Sequence, residues 1–409
     1  MKQTRNYPIV TVTKKGAAAV QNGHPWIYGS DTVAVHGEVQ NGDIVDAVTE
    51  KGTYLGSGFY NSNSKILIRI LSKNANDRFD EAFFARRIRY AIQYRLAVMG
   101  DDTNCFRVIF GDSDGLPGFI CDKFDDVLVT QIMCYGIELR KDMIFSVLLQ
   151  EMRHAGFTIS ALFERNDVAV RAKEGLTLNK GYYSAESLSE KENNTVIINE
   201  NGVLYEVDFE QGQKTGFFLD QKYNRLAASK IARGKKVLDC FTHTGSFALN
   251  CAKGGAASVL ALDISEDAIA KANRNIALNG LEKIMTTQAI DVFDYLTALD
   301  NEHKKPFDFI ILDPPAFTKS GSTVQSAFRG YKEINRRAMH LLPRGGFLAT
   351  CSCSHFMPND LFCKMLREAA HDANVTLLQV EAKQQAPDHP ILWGVPETDY
   401  LKFYIFQVL

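Results

Sequence analysis

The chain has 409 residues, 45% hydrophobic and 23% charged, and its 46 Lys and Arg against 48 Asp and Glu leave a formal net charge of −2. That is the profile of a globular protein with material for two to four domains; it carries no global nucleic-acid signature, although a local basic face remains compatible with it. No run of about 18 apolar residues marks a membrane span, and the opening MKQTRNYPIVTVTKKG has no apolar signal core, so the eight cysteines are expected as reduced thiols in a cytoplasmic protein.

Residues 1–72 are rich in short alternating strands and turns, as in EVQNGDIVDAVTEKG and YLGSGFYNSNSKILIRIL. Asn41-Gly42 and Lys51-Gly52 sit where hairpin turns fall, and a small β-barrel or sandwich is expected. In DRFDEAFFARRIRYAIQYRLAVMG, Phe83, Phe84, Ile88, Ala91, Ile92 and Leu96 recur at helical spacing. Arg86, Arg87, Arg89 and Arg95 then form a cationic face, equally readable as an RNA phosphate contact or as a solvated helix surface. Hairpins follow in VIFGDSDGLPGFICDKFDDVLVTQIMCYGIE, then a helix in RKDMIFSVLLQEMRHAG and strands to about residue 180. Residues 73–189 therefore read as a compact α+β unit, with SAESLSEKENNT as the linker.

The remaining stretch, 190–409, opens on a hairpin, VIINENGVLYEVDFEQGQKTGFFLDQ, and then alternates strand and helix. KKVLDCF, SVLALDI, IMTTQAID, PFDFIILDPP and GGFLATCSC are the strands. GSFALNCAKGG, SEDAIAKANRNIALNG, the region around YKEINRRAMHLL, and NDLFCKMLREAAHDA are the longer helices, with Ser265 as the N-cap of the second. Such alternation implies an α/β fold with a doubly wound parallel sheet, which binds ligands outside the carboxyl ends of its strands.

Those ends carry the chemistry. The first, LDCFTHTGSF, frames a turn between Asp239 and Gly245 with one glycine, which suits an adenosine ligand lacking a pyrophosphate better than a dinucleotide. The second presents Asp263, placed for the ribose hydroxyls. The third presents Asp291, which could accept from an adenine amino group. The fourth, LDPPAF, has two prolines that stiffen the loop behind Asp313 and hold Phe317 toward the cleft. A single Asp at a strand end is more often a helix cap; four in order favour S-adenosylmethionine as the cofactor.

The last strand closes on LATCSCSHF. A metal site, a redox pair, a packing pair and a catalytic nucleophile all offer themselves. Cys351-Ser352-Cys353 lacks a second Cys/His pair at zinc spacing, so no metal is expected, and C-x-C is not the C-x-x-C redox motif. Packing and nucleophilic catalysis remain.

The motifs HPWIY, GDSDGLPG, QKTGFFLDQ, LDCFTHTGSFA, LDPPAFTKS, CSCSHF and QAPDHP give the whole chain a specific resemblance. It resembles the RlmI-type family, S-adenosylmethionine-dependent methyltransferases that make 5-methylcytosine in large-subunit ribosomal RNA. The resemblance implies an N-terminal RNA-binding PUA β-barrel, a central α+β domain and a C-terminal Rossmann-like class I methyltransferase domain. It implies ribosomal RNA as the partner, with no membrane and no metal, and leaves a homodimer open. Cys353, in the S-C-S element, takes the place of the nucleophile, and Cys351 reads as packing. Asp313 is the candidate for ring nitrogen 3 of the base, and Phe317 for stacking on a flipped base, with Pro314 and Lys319 beside them as substrate contacts. Gln221, Phe241, Thr242, Ile264 and Val292 join Asp239, Gly245, Asp263, Asp291 and Asp313 around the cofactor. Gln213, Phe218 and Asp220 could close over its methionine end. For the base that removes the carbon-5 proton, Asp313 through water and His355 are both candidates. Methylation of a base nitrogen or of guanine, and a non-catalytic ribosome assembly factor, are the alternative functions.

Overall fold

The computed structural model describes residues 6–318 and 320–409. These form two compact units: one takes the chain up to Ile198 with Val207–Leu219 and Pro387–Thr398, the other Asn199–Glu206, Asp220–Ala386 and Asp399–Leu409. Among the described residues no helix is long and apolar enough to cross a membrane, and no group of three or more His, Cys, Asp or Glu is arranged to hold a metal ion.

The first unit begins with a six-stranded sheet in the order Trp26–Tyr28, Ile66–Ser72, Tyr54–Tyr60, Ile44–Thr49, Ile9–Val12 and Thr32–His36. Its buried face is apolar, with Val10, Val12, Ile27, Val45 and Ile68 at the centre. The Lys51-Gly52 turn joins an antiparallel hairpin, as its sequence predicts. The Asn41-Gly42 turn does not: the strands on either side of it are separated by Ile9–Val12, which pairs with both. A helix at Lys14–Gln21, capped by Thr13, also interrupts the expected run of strands. It lies close against its surroundings at Gly16, where a Cβ would come within 2.6 Å of Val12 Cγ1.

A five-stranded sheet follows, in the order Asn179–Tyr182, Ala161–Asn166, Val127–Ile132, Phe119–Phe124 and Cys105–Phe110, with helices Glu81–Met99 and Lys141–His154. The four arginines of the first helix, readable from their spacing as an RNA phosphate contact or a solvated face, are each bonded within the chain, although the Arg86 and Arg89 side chains stay 41% and 50% exposed. Arg86 bonds Asp77 (2.9 Å), Arg87 bonds the Leu71 carbonyl (3.1 Å), and Arg89 forks onto Glu151 (2.9 and 2.7 Å). Arg95 is 0% exposed while Leu96, expected in the core, is 36% exposed. The helix is rotated so that the Arg95 guanidinium reaches Asp114 (2.5 Å), the Arg107 carbonyl (2.9 Å) and the Asp388 carbonyl (2.9 Å). A separate bond ties two sequence motifs: Trp26 of HPWIY donates to Asp112 of GDSDGLPG at 3.0 Å. Removing one partner of a buried ion pair strands the other charge, so Arg95→Ala should cost about 3–5 kcal/mol of stability. Urea unfolding of the full chain measures this, and a loss below about 1 kcal/mol would show the pair to be dispensable.

In the second unit the elements are α1 (Lys222–Ile231), β1 (Lys236–Cys240), α2 (Ser246–Lys253), β2 (Ser258–Asp263), α3 (Glu266–Asn279), β3 (Met285–Ala289) and α4 (Val292–Asn301). They continue with β4 (Phe309–Leu312), α5 (Val324–Leu341), β5 (Phe347–Ser352), α6 (Asn359–Asp372), β6 (Leu377–Lys383) and β7 (Lys402–Val408). The sheet order is β3-β2-β1-β4-β5-β7-β6. Strands β1 to β5 are parallel, and β7 runs antiparallel between β5 and β6. Parallel strands covered on both faces read as continuous apolar runs, and Leu238, Leu262, Ile310, Leu312 and Leu348 fill the core. Ser265 caps α3 through the Ala268 amide. Helix α5 starts seven residues before the YKEINRR pattern. Gly330 breaks its apolar periodicity because it lies against Phe317, where a Cβ would stand 3.4 Å from the ring.

Candidate active site

Because β1 to β5 are parallel, their carboxyl ends share one edge of the sheet. The strand order reverses between β1 and β4, the position where such sheets bind ligands.

At the end of β1, the buried Asp239 accepts from Thr242 Oγ1 (2.6 Å) and the Ala248 amide (3.0 Å) through Oδ2. Its other oxygen, Oδ1, is buried and accepts from no described residue. The turn that follows is wound left-handed at Phe241 (φ +63°), His243 (φ +52°) and Gly245 (φ +84°). Two such residues with side chains cost about 1–3 kcal/mol each, a strain that persists where function requires it. Gly245 has a second reason: a Cβ would stand 3.3 Å from both Ala272 Cβ and Met285 Cε. Asp263, at the end of β2, pins the turn by accepting from the His243 amide (2.9 Å), while its other oxygen takes the Ser265 amide (3.0 Å). The buried Thr242 donates its amide to the Leu262 carbonyl (2.8 Å).

Asp291 caps α4, one oxygen accepting from the Phe293 and Asp294 amides (2.7 and 3.2 Å). Val292 beside it is buried, whereas the Ile264 side chain is 70% exposed. After β4, Asp313 accepts from Gln221 Nε2 (3.1 Å), and Gln221 is itself held by Asn224 (2.7 Å). Asp220 accepts from the Tyr400 hydroxyl at 2.7 Å. Pro314 is buried. Phe317 packs its ring 4.6 Å from Tyr331 and 6.2 Å from Phe293. Lys319 lies outside the described residues. Gln213, which is exposed, and Phe218 belong to the first unit, Asp220 and Gln221 to the second.

Strand β5 is hydrogen-bonded to β4 and ends at Ser352, whose hydroxyl donates to Tyr331 (3.2 Å). Cys351 is 0% exposed and Cys353, just past the strand, is half-buried. None of the eight cysteines forms a disulfide. Burial, with the Asp313 charge beside it, keeps the Cys351 thiol far above its usual range. His355 is exposed against Phe356.

Burial pushes Asp239 up to about 7, and the charges of Asp313 and Asp263 add to it. Burial likewise pushes Asp313 up to about 6, with the Asp220 charge adding and the Gln221 bond opposing. Carboxylates thus gather at this edge, and the Arg225 charge opposes the rise of Asp313.

A sequence profile of the S-adenosylmethionine-dependent methyltransferases matches residues 158–406, and one of PUA-like domains matches residues 10–73. The chain is 40% identical over 387 residues to the "Ribosomal RNA large subunit methyltransferase I" of Shewanella amazonensis, spanning 94% of this chain and 95% of the relative. It is 38% identical to the protein of the same name from Yersinia pestis, over 94% and 96% of the two chains. The chain belongs to the ribosomal RNA large subunit methyltransferase I family. Two solved structures share the fold at 19% identity, each over 98% of this chain and 99% of its own. One is a SAM-dependent methyltransferase from Streptococcus mutans (TM-score 0.80), the other the methyltransferase SMU.776 complexed with SAH (TM-score 0.82).

The cofactor of this family is S-adenosylmethionine, and the strand ends suit it. Its ammonium and sulfonium are cations, and Asp239, raised by burial and with Oδ1 unpartnered among the described residues, offers an acceptor to one. The sign of the pH dependence follows. A carboxyl raised from 3.8 to about 7 stabilises the unliganded fold below pH 3.8 and loses that contribution as pH rises through 7. A bound cation favours the ionised form and displaces the proton. Affinity for S-adenosylmethionine should therefore rise roughly tenfold between pH 5.5 and 7.5, with proton release. Calorimetry in buffers of different ionisation enthalpy checks this; an affinity flat over that range would count against Asp239 as the cation site.

Some of this site has no sequence signal. Tyr331 sits in a helix whose pattern a glycine interrupts. Asn224 stands three residues after Gln221, a spacing that places both on one helix face. Lys402 opens the last strand, KFYIFQV, which reads only as core.

Proposed function

We propose that the chain transfers a methyl group from S-adenosylmethionine to carbon 5 of a cytosine in large-subunit ribosomal RNA, through a covalent adduct on Cys353. The RNA substrate rests on the names of the relatives. The chemistry rests on one observation: of Cys240, Cys351 and Cys353 at the strand ends, the first two are sealed in the core and Cys353 is accessible, one strand from Asp313.

Cytosine carbon 5 is too weak a nucleophile to attack an alkyl sulfonium unaided. Addition of the Cys353 thiolate to carbon 6 makes the ring enamine-like, and carbon 5 gains the electron density it lacked. In this reading Asp313, which accepts from Gln221, holds ring nitrogen 3, where negative charge builds as the thiolate adds. The cofactor supplies the electrophilic methyl. Loss of the carbon-5 proton then lets the sulfur–carbon bond break, its electron pair returning to Cys353.

The test uses labelled S-adenosylmethionine, the full chain, and ribosomal RNA from cells lacking it. Nuclease digestion and mass analysis should yield 5-methylcytidine. Label on guanosine or on a base nitrogen would replace this reading with a thiol-independent one, and no label at all would favour an assembly role.

A further inference from the structure

We propose that Lys402 is a positioning residue for Cys353, its ammonium serving as the counter-ion of the thiolate and its amine as the acceptor of the thiol proton. The inference rests on Cys353 being the nucleophile. It starts from the sheet. Strand β7 is antiparallel to β5, so its first residue lies at the catalytic edge, with Lys402 directly opposite Ser352. The side chain is 3% exposed. Its Nζ donates to the Ser354 carbonyl at 2.6 Å and the Tyr400 carbonyl at 2.8 Å. One of those carbonyls belongs to the residue after Cys353, so the lysine ties down the loop that carries the sulfur.

An ammonium has three donors and these contacts use two. Among the described residues no carboxylate forms an ion pair with Lys402, which is unusual because buried charges are paired as a rule. The Cys353 charge acts on this amine, and in this proposal it is the missing anion. Burial lowers the lysine to about 8, and the charges of Cys353 and then Asp399 oppose the shift. An amine so lowered gives up and takes back a proton near neutrality, as the acceptor of a thiol proton must.

The surrounding groups do not take the role. Asp399 accepts from Gln384 at 3.0 Å. Burial raises Tyr331 to about 12, so it stays neutral. Cys351 stays a thiol against Asp313, and His355 is exposed. The proton balance closes without a co-reactant. The proton moves from Sγ to Nζ, and the sulfur pair forms the bond to carbon 6. When that bond breaks, the pair returns to sulfur opposite the ammonium.

The experiment reads the thiol directly. Iodoacetamide alkylation of Cys353 is followed against pH by peptide mass mapping, in the full chain and in its Lys402→Met, Lys402→Gln and Lys402→Arg variants. The two neutral variants should lose roughly tenfold in alkylation rate at pH 7, their midpoints rising by about one unit, while Lys402→Arg stays reactive. Unchanged midpoints in the neutral variants overturn the proposal. If neither neutral variant melts as a folded protein, Lys402→Arg decides. A permanent cation should lower the midpoint below the wild-type value, and an unchanged midpoint overturns the proposal there as well. Trapping of wild-type protein on 5-fluorocytosine RNA separates the two readings. Adduct formation with unmoved midpoints sinks the lysine role alone. Moved midpoints without an adduct uphold the lysine–cysteine pair and sink the nucleophile assignment.

Discussion

Replacing Cys353 with alanine should lower turnover by about four orders of magnitude or more, because a nucleophile and the groups that serve it act as a unit. Such a loss corresponds to about 5.5 kcal/mol of transition-state stabilisation. S-adenosylmethionine affinity should be unchanged, since the acids at β1 and β2 remain. Cys351→Ala is the internal control. Cys351 lies in the core beneath Asp313, and burial holds it as a thiol; it should keep activity within about tenfold. On RNA containing 5-fluorocytosine the wild-type chain should become covalently linked after methyl transfer, because fluorine does not leave as a proton. The link should map to Cys353. Methylation of such RNA with no linked species, or full activity in Cys353→Ala, would falsify the thiol mechanism.

What the sequence displayed follows the range of the interactions. Strands β1 to β5 were legible because parallel strands buried on both faces are apolar runs, and Asp239, Asp263, Asp291, Asp313 and Cys353, the candidates of the sequence, fall at or just past their ends. Local capping was legible at Ser265 for the same reason, since the donor lies three residues away. Longer-range pairing was not. The insertion of Ile9–Val12 between two strands made a turn at Asn41-Gly42 resemble a hairpin. The rotation of helix Glu81–Met99 is set by partners as distant as Asp388, so Arg95 reads as part of a surface when it is an internal brace. Lys402 escaped for this reason too: nothing in YLKFYIFQV announces that its strand will pair with Ser352, 50 residues earlier. Asp291 is the helix cap that its sequence allowed, through one oxygen.

Asp313→Asn is the second decisive substitution. It keeps the shape of the side chain and the reach of Gln221 but removes the charge and the proton. A carboxyl raised to about 6 by burial exchanges a proton near neutrality. It can therefore donate to ring nitrogen 3 as the thiolate adds and accept again as the thiolate leaves. General acid–base assistance of this kind contributes about 10²–10⁴ in rate. The variant should lose roughly 10²–10³ in kcat, with RNA affinity changed by less than about threefold. The sign of the pH effect separates this from a merely electrostatic role. The protonated carboxyl is the useful form, so wild-type kcat should fall on the alkaline side once Asp313 ionises. In Asp313→Asn that limb should vanish, while the acid limb set by the Cys353 thiol persists. Single-turnover rates between pH 5.5 and 9 measure both limbs. An alkaline limb retained in Asp313→Asn would assign it to another group, with Lys402, lowered to about 8, the next to test.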